Sequence, residues 1–392
     1  MQYIDNNQQK GIKIDWKMIF KEYKKLKCPE DTYDPTTLPL GIVNWSLLLS
    51  ARSRGKTTNL LIIGLLLYKH YKIQTGYIRQ TDNMTKSTKA RELYNVICEF
   101  NYIERIFGEE WNSVYLWQKH FYLCKRDDDG NILSKSNDDI CMLMSIDKSY
   151  DYKSTLTKPR CDWILIDEMI SNKYAENEFI DLCQLISTIR RKRLSTKIIC
   201  ASNMVTPYNQ YIEEMGLRDT VLKMQPGDSN IVKTILGLQI YVEILDSTKF
   251  NDKKSVSANM SYFGFANNKL KAITGEDWEI RMYPHLLRPE EDEVRELITR
   301  DIYIHAFGKY LCMEIYNSSV MGDYCLFRPY PTGEPEDGII FTDQIPKKSN
   351  EFYGTGEGTK LHKLWDFIKL HRDFYSSNEI GHMIETYINT VN

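Results

Sequence analysis

The run Trp45-Ser-Leu-Leu-Leu49, then Ser50-Ala-Arg-Ser-Arg-Gly-Lys-Thr57, then Leu60-Leu-Ile-Ile-Gly-Leu-Leu-Leu67 is the stretch on which the fold turns. The first piece is short and apolar and predicts a strand, and Gly55 to Tyr71 predicts a long helix. Between them lies a polar loop. Against the pattern G-x-x-x-x-G-K-[ST] it keeps Gly55, Lys56 and Thr57, with Ser50 in place of the first glycine. Such a loop curls backbone N–H groups around phosphates, and the helix N-terminus adds partial positive charge. Lys56 is then expected on the β- and γ-phosphates, and the Thr57 hydroxyl on Mg²⁺. Ser50, Arg52, Ser53, Arg54 and Thr58 complete the expected phosphate-binding set, with Arg52 and Arg54 facing phosphate or a neighbouring subunit. A surface loop rich in Arg and Lys is the bland alternative. The order strand, loop, apolar helix argues against it.

A second motif lies about 110 residues further on, where Trp163-Ile-Leu-Ile166 runs into Asp167 and Glu168. An Asp at that strand end holds the Mg²⁺ shell in phosphate-loop enzymes. The next Glu is placed to polarise the attacking water as general base. Asp and Glu also favour a helix N-terminus for electrostatic reasons alone. Both motifs in the required order, each ending an apolar strand, predict an NTPase.

The text around them alternates strands with helices from about 41 to 245. Thr75–Arg79, Cys161–Ile166 and Lys197–Ala201 read as strands, and the turn Lys125–Gly130 reads as a hairpin. Unbroken apolar strands are covered on both faces, which predicts an α/β fold with a central, mainly parallel sheet. Apolar and basic positions alternate at helical spacing over residues 15–27. Glu176 to Ile189 reads as a helix running into Arg190-Arg-Lys-Arg193. Basic residues suit a helix C-terminus, and they also suit an arginine finger offered to a neighbour's γ-phosphate. Asn203, closing Cys200-Ala-Ser-Asn203, is expected to sense the γ-phosphate or position the water, though Ser-Asn is also ordinary turn chemistry. Lys153 is a further candidate cation, for catalysis in trans or for a DNA contact.

With 392 residues there is room for two to three domains. The expected division is an ATPase domain over 1–245, a polar linker segment over 246–289 and a second α/β domain over 290–392. Hydrophobic residues at 42% and charged residues at 27% exclude wholesale disorder, collagen and coiled coil. A net charge of −2 excludes a histone-like polycation. Nine cysteines without a C-x-x-C pair read as reduced core thiols. The N-terminus shows no signal peptide, and the longest apolar run is too short for a membrane span, so a cytosolic chain is expected. None of the seven histidines has zinc-site spacing.

Taken together, the sequence resembles the genome-packaging ATPases of phi29-type, short-tailed bacteriophages. The likeness rests on Ala51–Thr57, Tyr77-Ile-Arg79, Ile164–Glu168, and Ile189-Arg-Arg-Lys-Arg193 followed by Cys200–Asn203. It implies an ASCE-type P-loop ATPase that forms a ring, in that family a homopentamer, on the portal of a procapsid. The ring would translocate double-stranded DNA in the host cytoplasm, attached transiently to the procapsid vertex; some relatives also need a packaging RNA. Lys56 and Thr57 match the phosphate and Mg²⁺ positions, and Asp167 and Glu168 the metal and catalytic acids. Arg191, twelve residues before Asn203, best matches the trans-acting finger, with Arg190 and Arg193 as rivals. Ser50 departs from the family glycine and implies an altered loop geometry. The last hundred residues resemble the ribonuclease H-like domain of terminases, with cutting lost: Asp343 and Glu385 do not make a two-metal set. Rival readings are a helicase-like recombination ATPase and a non-hydrolysing scaffold that binds DNA or portal.

Overall fold

The computed structural model describes residues 12–29, 32–50, 54–86, 88–155, 161–170, 177–191, 193–203, 209–246, 283–286, 289, 292–331 and 333–391, with backbone alone for 88, 89 and 153–155. Helix α1 (Trp16–Lys25) is capped by Asp15, whose carboxylate accepts the Met18 N–H at 3.1 Å. Its apolar residues Ile19 and Tyr23 are buried against the core, and its lysines face outward. Strand β1 (Trp45–Ser50) and helix α2 (Lys56–Tyr71) follow as expected. Apolar on nearly every side, α2 is buried from Leu60 to Tyr68. Each Leu or Ile enclosed there contributes about 1.5–3 kcal/mol. At Gly64 an added Cβ would lie 2.3 Å from the Thr75 hydroxyl, so only glycine lets α2 lie this close to the sheet.

That sheet has nine strands in the order β3-β4-β5-β2-β6-β7-β1-β9-β8. These are β2 (Thr75–Arg79), β3 (Ser113–Trp117), β4 (His120–Arg126), β5 (Ile132–Ser145), β6 (Trp163–Asp167), β7 (Lys197–Asn203), β8 (Ser229–Lys233) and β9 (Gln239–Ile244). The central strands β5, β2, β6, β7, β1 and β9 run parallel, and antiparallel hairpin strands extend both edges. One strand, β7, lies between the phosphate-loop strand and the acidic strand, the additional strand of the ASCE class. The expected hairpin at 125–130 is the β4–β5 connection.

The described residues fall into two units: those up to 170, those within 177–203 and those within 215–246 form the first, and those within 209–214 and 283–391 the second. In the second unit β10 (Arg295–Thr299), β11 (Ile302–Ala306), β12 (Lys309–Ser318), β13 (Gly322–Pro329), β14 (Ile339–Thr342), β15 (Glu351–Tyr353) and β16 (Asp373–Tyr375) form one mixed sheet. Strands β11, β12 and β13 make an antiparallel meander, while β14 and β15 add parallel beside β11. The C-terminal residues, expected to be ribonuclease H-like, thus form a separate mixed sheet with this strand order. Burial alternates along β11 and β12, so only one face is covered, by the helix Asn378–Val391 and by Trp365. Tyr283 also belongs to this core: its ring lies against Gly381, and Tyr375 donates its N–H to the Pro284 carbonyl at 2.8 Å. Residues 247–282, most of the expected linker, lie outside the described residues.

Candidate nucleoside triphosphate site

Parallel pairing brings the carboxyl ends of β1, β7, β6 and β2 side by side. The register sets Ser50 against Asn203 and Ile78 against Ile166, which puts Arg79 level with Asp167. Ligands of open α/β sheets bind at this edge. Gly55, with φ +67°, turns the chain from the loop into α2, a left-handed conformation that glycine adopts without strain. Ala51, Arg52 and Ser53 lie outside the described residues. Thr58 is half-buried in the first turn of α2. The carbonyl of Arg54 accepts the Tyr33 N–H at 2.9 Å. Asn59 ties the same upstream segment to α2, donating to the Tyr33 carbonyl at 2.7 Å and the Thr32 hydroxyl at 2.9 Å.

Lys56 is 7% exposed and donates to the Ser50 hydroxyl. Burial lowers its pKa to about 8, although Asp167 and Glu168 pull it upward; Arg54 pushes the same way as burial. Ser50 therefore does more than replace a glycine. It ends β1 with ordinary strand pairing and no left-handed φ, so glycine is not required there, and its side chain engages the lysine. The loop geometry that follows Ser50 lies outside the described residues.

The acid pair closes the site. Thr57 donates its hydroxyl to Asp167 Oδ1 at 3.1 Å, and Tyr77 donates to Asp167 Oδ2 at 2.5 Å. Arg79 grips both acids, reaching Asp167 Oδ2 at 3.0 Å and Glu168 Oε2 at 2.5 Å. Glu168 has φ +54° and donates its N–H to the Ala201 carbonyl at 2.9 Å. A non-glycine residue held in this region costs about 1–2 kcal/mol, and such strain gathers at functional sites. In the sequence Tyr77 and Arg79 read as a strand and as part of the family likeness, with no role at the site. Their signal was a cation closing an apolar strand, which acquires meaning once that strand neighbours β6.

The arginine cluster separates into two kinds of residue. The helix Glu178–Arg190 ends at Arg191, a left-handed cap with φ +44° whose N–H bonds the Ser187 carbonyl. Arg190 and Arg191 are exposed, and Arg190 donates to the Arg193 carbonyl at 2.7 Å. Arg193, a rival candidate for a trans finger, is bonded within its own chain. Its Nε bonds Asp162 at 2.6 Å, its Nη2 bonds the Ile189 carbonyl, and Asp162 is 1% exposed. Withdrawing that guanidinium would strand a buried carboxylate, at a cost of about 3–5 kcal/mol. Asn203 is half-buried beside Ser50. Lys153 lies on the helix Ser149–Thr155, and its side chain is outside the described residues.

In the second unit the two candidate carboxylates are not brought together as a metal site. Glu385 accepts the Tyr283 hydroxyl, and Asp343, just after β14, has its pKa raised by burial, which His305 partly offsets. Among the described residues no three His, Cys, Asp or Glu side chains are grouped to hold a metal ion. Nor is any helix among them long and apolar enough to cross a membrane.

Comparison with solved structures gives the Phi-28 gp11 DNA packaging motor at TM-score 0.55 and 15% identity, covering 93% of this chain and 98% of that one. The bacteriophage Phi-29 viral genome packaging motor assembly follows at TM-score 0.53 and 17% identity, covering 92% and 99%. The chain has the fold of these packaging motors. No family model and no curated protein sequence matches it. The shared fold runs through both units, so the packaging-motor likeness extends beyond the phosphate-loop core.

Proposed function

We propose that the chain is an ATP-driven motor that moves double-stranded DNA into a preformed procapsid through its portal. The observation that carries this reading is the convergence of Lys56, Thr57, Asp167 and Glu168 at one sheet edge, in a packaging-motor fold. Lys56 would take the β- and γ-phosphates, giving up its bond to Ser50. The Thr57 hydroxyl and the Asp167 carboxylate are hard oxygen donors that already adjoin, a set that fits Mg²⁺. Bound there, the ion would neutralise phosphate charge and orient the γ-phosphoryl group. Glu168 takes the proton of the attacking water as its oxygen bonds the γ-phosphorus and the bond to ADP breaks. Arg79 now occupies Glu168, so the ion pair must open before Glu168 can act.

Copies of the chain would act in a ring, a pentamer by the family likeness, with exposed Arg191 (Arg190 as its rival) reaching a neighbour's γ-phosphate. The ring would sit transiently at the procapsid vertex in the host cytoplasm, with a packaging RNA as a further partner. The motor domain would span 1–245, and the C-terminal domain, without nuclease activity, would begin by Tyr283 rather than at 290, because Tyr283 is part of its core. The test is ATP hydrolysis by the purified chain with and without duplex DNA, alongside DNA uptake by procapsids. DNA-stimulated turnover is expected. Undetectable turnover in both conditions, from a folded chain, would overturn the reading.

A further inference from the structure

Helix α1 buries Ile19 and Tyr23, with Trp16 and Phe20 packed against the same core. Its other face carries Lys17, Lys21, Lys24 and Lys25, all exposed, with Lys27 just beyond and Lys69 near the end of α2. Among the described residues none of these six ammonium groups pairs with a carboxylate. The two acids of α1 and its cap are engaged: Asp15 caps the helix, and Glu22 bonds His70 at 2.8 Å. In a chain of net charge −2 this is a concentrated positive surface.

We propose that the lysine stripe of α1 docks the phosphate backbone of duplex DNA, a contact that rests on the motor reading above. Charge complementarity argues for a polyanion. The shape and residue types argue for a duplex. Lys17 to Lys25 spans about 12 Å of helix axis, the length of three to four phosphates along one strand. Trp16, Phe20 and Tyr23 pack against the core, so among the described residues of α1 there is no stacking platform of the sort that single strands use. Among the described residues of this face lysine stands without an arginine fork or an amide, and its compact point charge suits phosphate oxygens. The bonds Asp15–Tyr71 and Glu22–His70 fix α1 at the last turn of α2, about 20 Å along that helix from Lys56. Changes there leave the nucleotide site intact.

The test replaces Lys17, Lys21, Lys24 and Lys25 with Gln together in the full chain and measures binding to a labelled duplex by anisotropy at several salt concentrations. The slope of log K against log salt should become shallower by about 3, and affinity at low salt should fall about tenfold or more. DNA-independent ATP hydrolysis and the melting temperature should hold, and the fourfold Arg variant should restore binding. A parent that binds duplex DNA while the Gln variant binds equally well, with the same slope, overturns the proposal and spares the motor reading. Loss confined to an RNA hairpin overturns the assignment to DNA. A parent that binds no duplex at any salt overturns both.

Discussion

Asp167 closes β6 and Asp343 directly follows β14, so each stands at the carboxyl end of a buried strand. Around Asp167, two other elements contribute polar groups: Thr57 from the start of α2, and Tyr77 and Arg79 from β2, with Glu168 as chain neighbour. Around Asp343 the corresponding groups are missing from its own sheet. The nearest group from β11 is His305, paired with the preceding Thr342 and stacked on Tyr310 at 4.5 Å. Glu385 is turned to Tyr283. A strand-end carboxylate thus becomes chemistry through what the adjacent strands and the next helix bring to it. The same residue in the same position is otherwise a desolvated acid.

The sharpest way to break that comparison is at Glu168. Glu168→Gln keeps the shape and the hydrogen-bonding reach but removes the base, so turnover should fall by about 10²–10⁴-fold while ATP still binds. Steady-state hydrolysis together with a fluorescent-nucleotide titration measures both. Retained turnover would leave the two strand ends alike in chemistry, and Glu168 would lose its role.

How far these surroundings were legible follows from how local each signal is. Lys56, Thr57, Asp167 and Glu168 stand in short motifs whose neighbours along the chain explain them, and the structure brings them together. Arg79 depends on β2 lying beside β6, and strand order is not written in local periodicity. Arg193 looked like its neighbours Arg190 and Arg191 because the carboxylate that claims it, Asp162, precedes it by 31 residues. Glu385 likewise needed Tyr283, 102 residues upstream, to show its partner. The C-terminal sheet was readable as strands then helices, whereas its first core residue lay inside the stretch read as linker.

A smaller effect separates the buried cation of the first site from an ordinary lysine. Burial holds the Lys56 pKa at about 8, and bound phosphate would raise it again. ATP affinity should therefore weaken as pH rises through 8, by about tenfold between pH 7 and 9, because binding must then take up a proton. Nucleotide titration across that range checks it, with Lys56→Met giving a weak but flat profile. A flat profile in the parent would mean that Ser50 and the acid pair keep Lys56 charged throughout.

The smallest effect belongs to Asp343. Burial raises its pKa above the usual carboxylate value, so the folded state holds the proton more tightly than the unfolded one. The stability this contributes is present at low pH and is lost as pH rises from the unfolded value through the folded one. Asp343→Asn removes the charge that is costly to bury. The melting temperature of the variant relative to the parent should thus be higher at pH 7 than at pH 4, with ATP turnover unchanged. A carboxylate that served a metal would behave in the opposite way, since Mg²⁺ or Mn²⁺ would stabilise the parent and not the variant. Melting curves with and without each ion therefore decide whether this strand end is idle or is a second site.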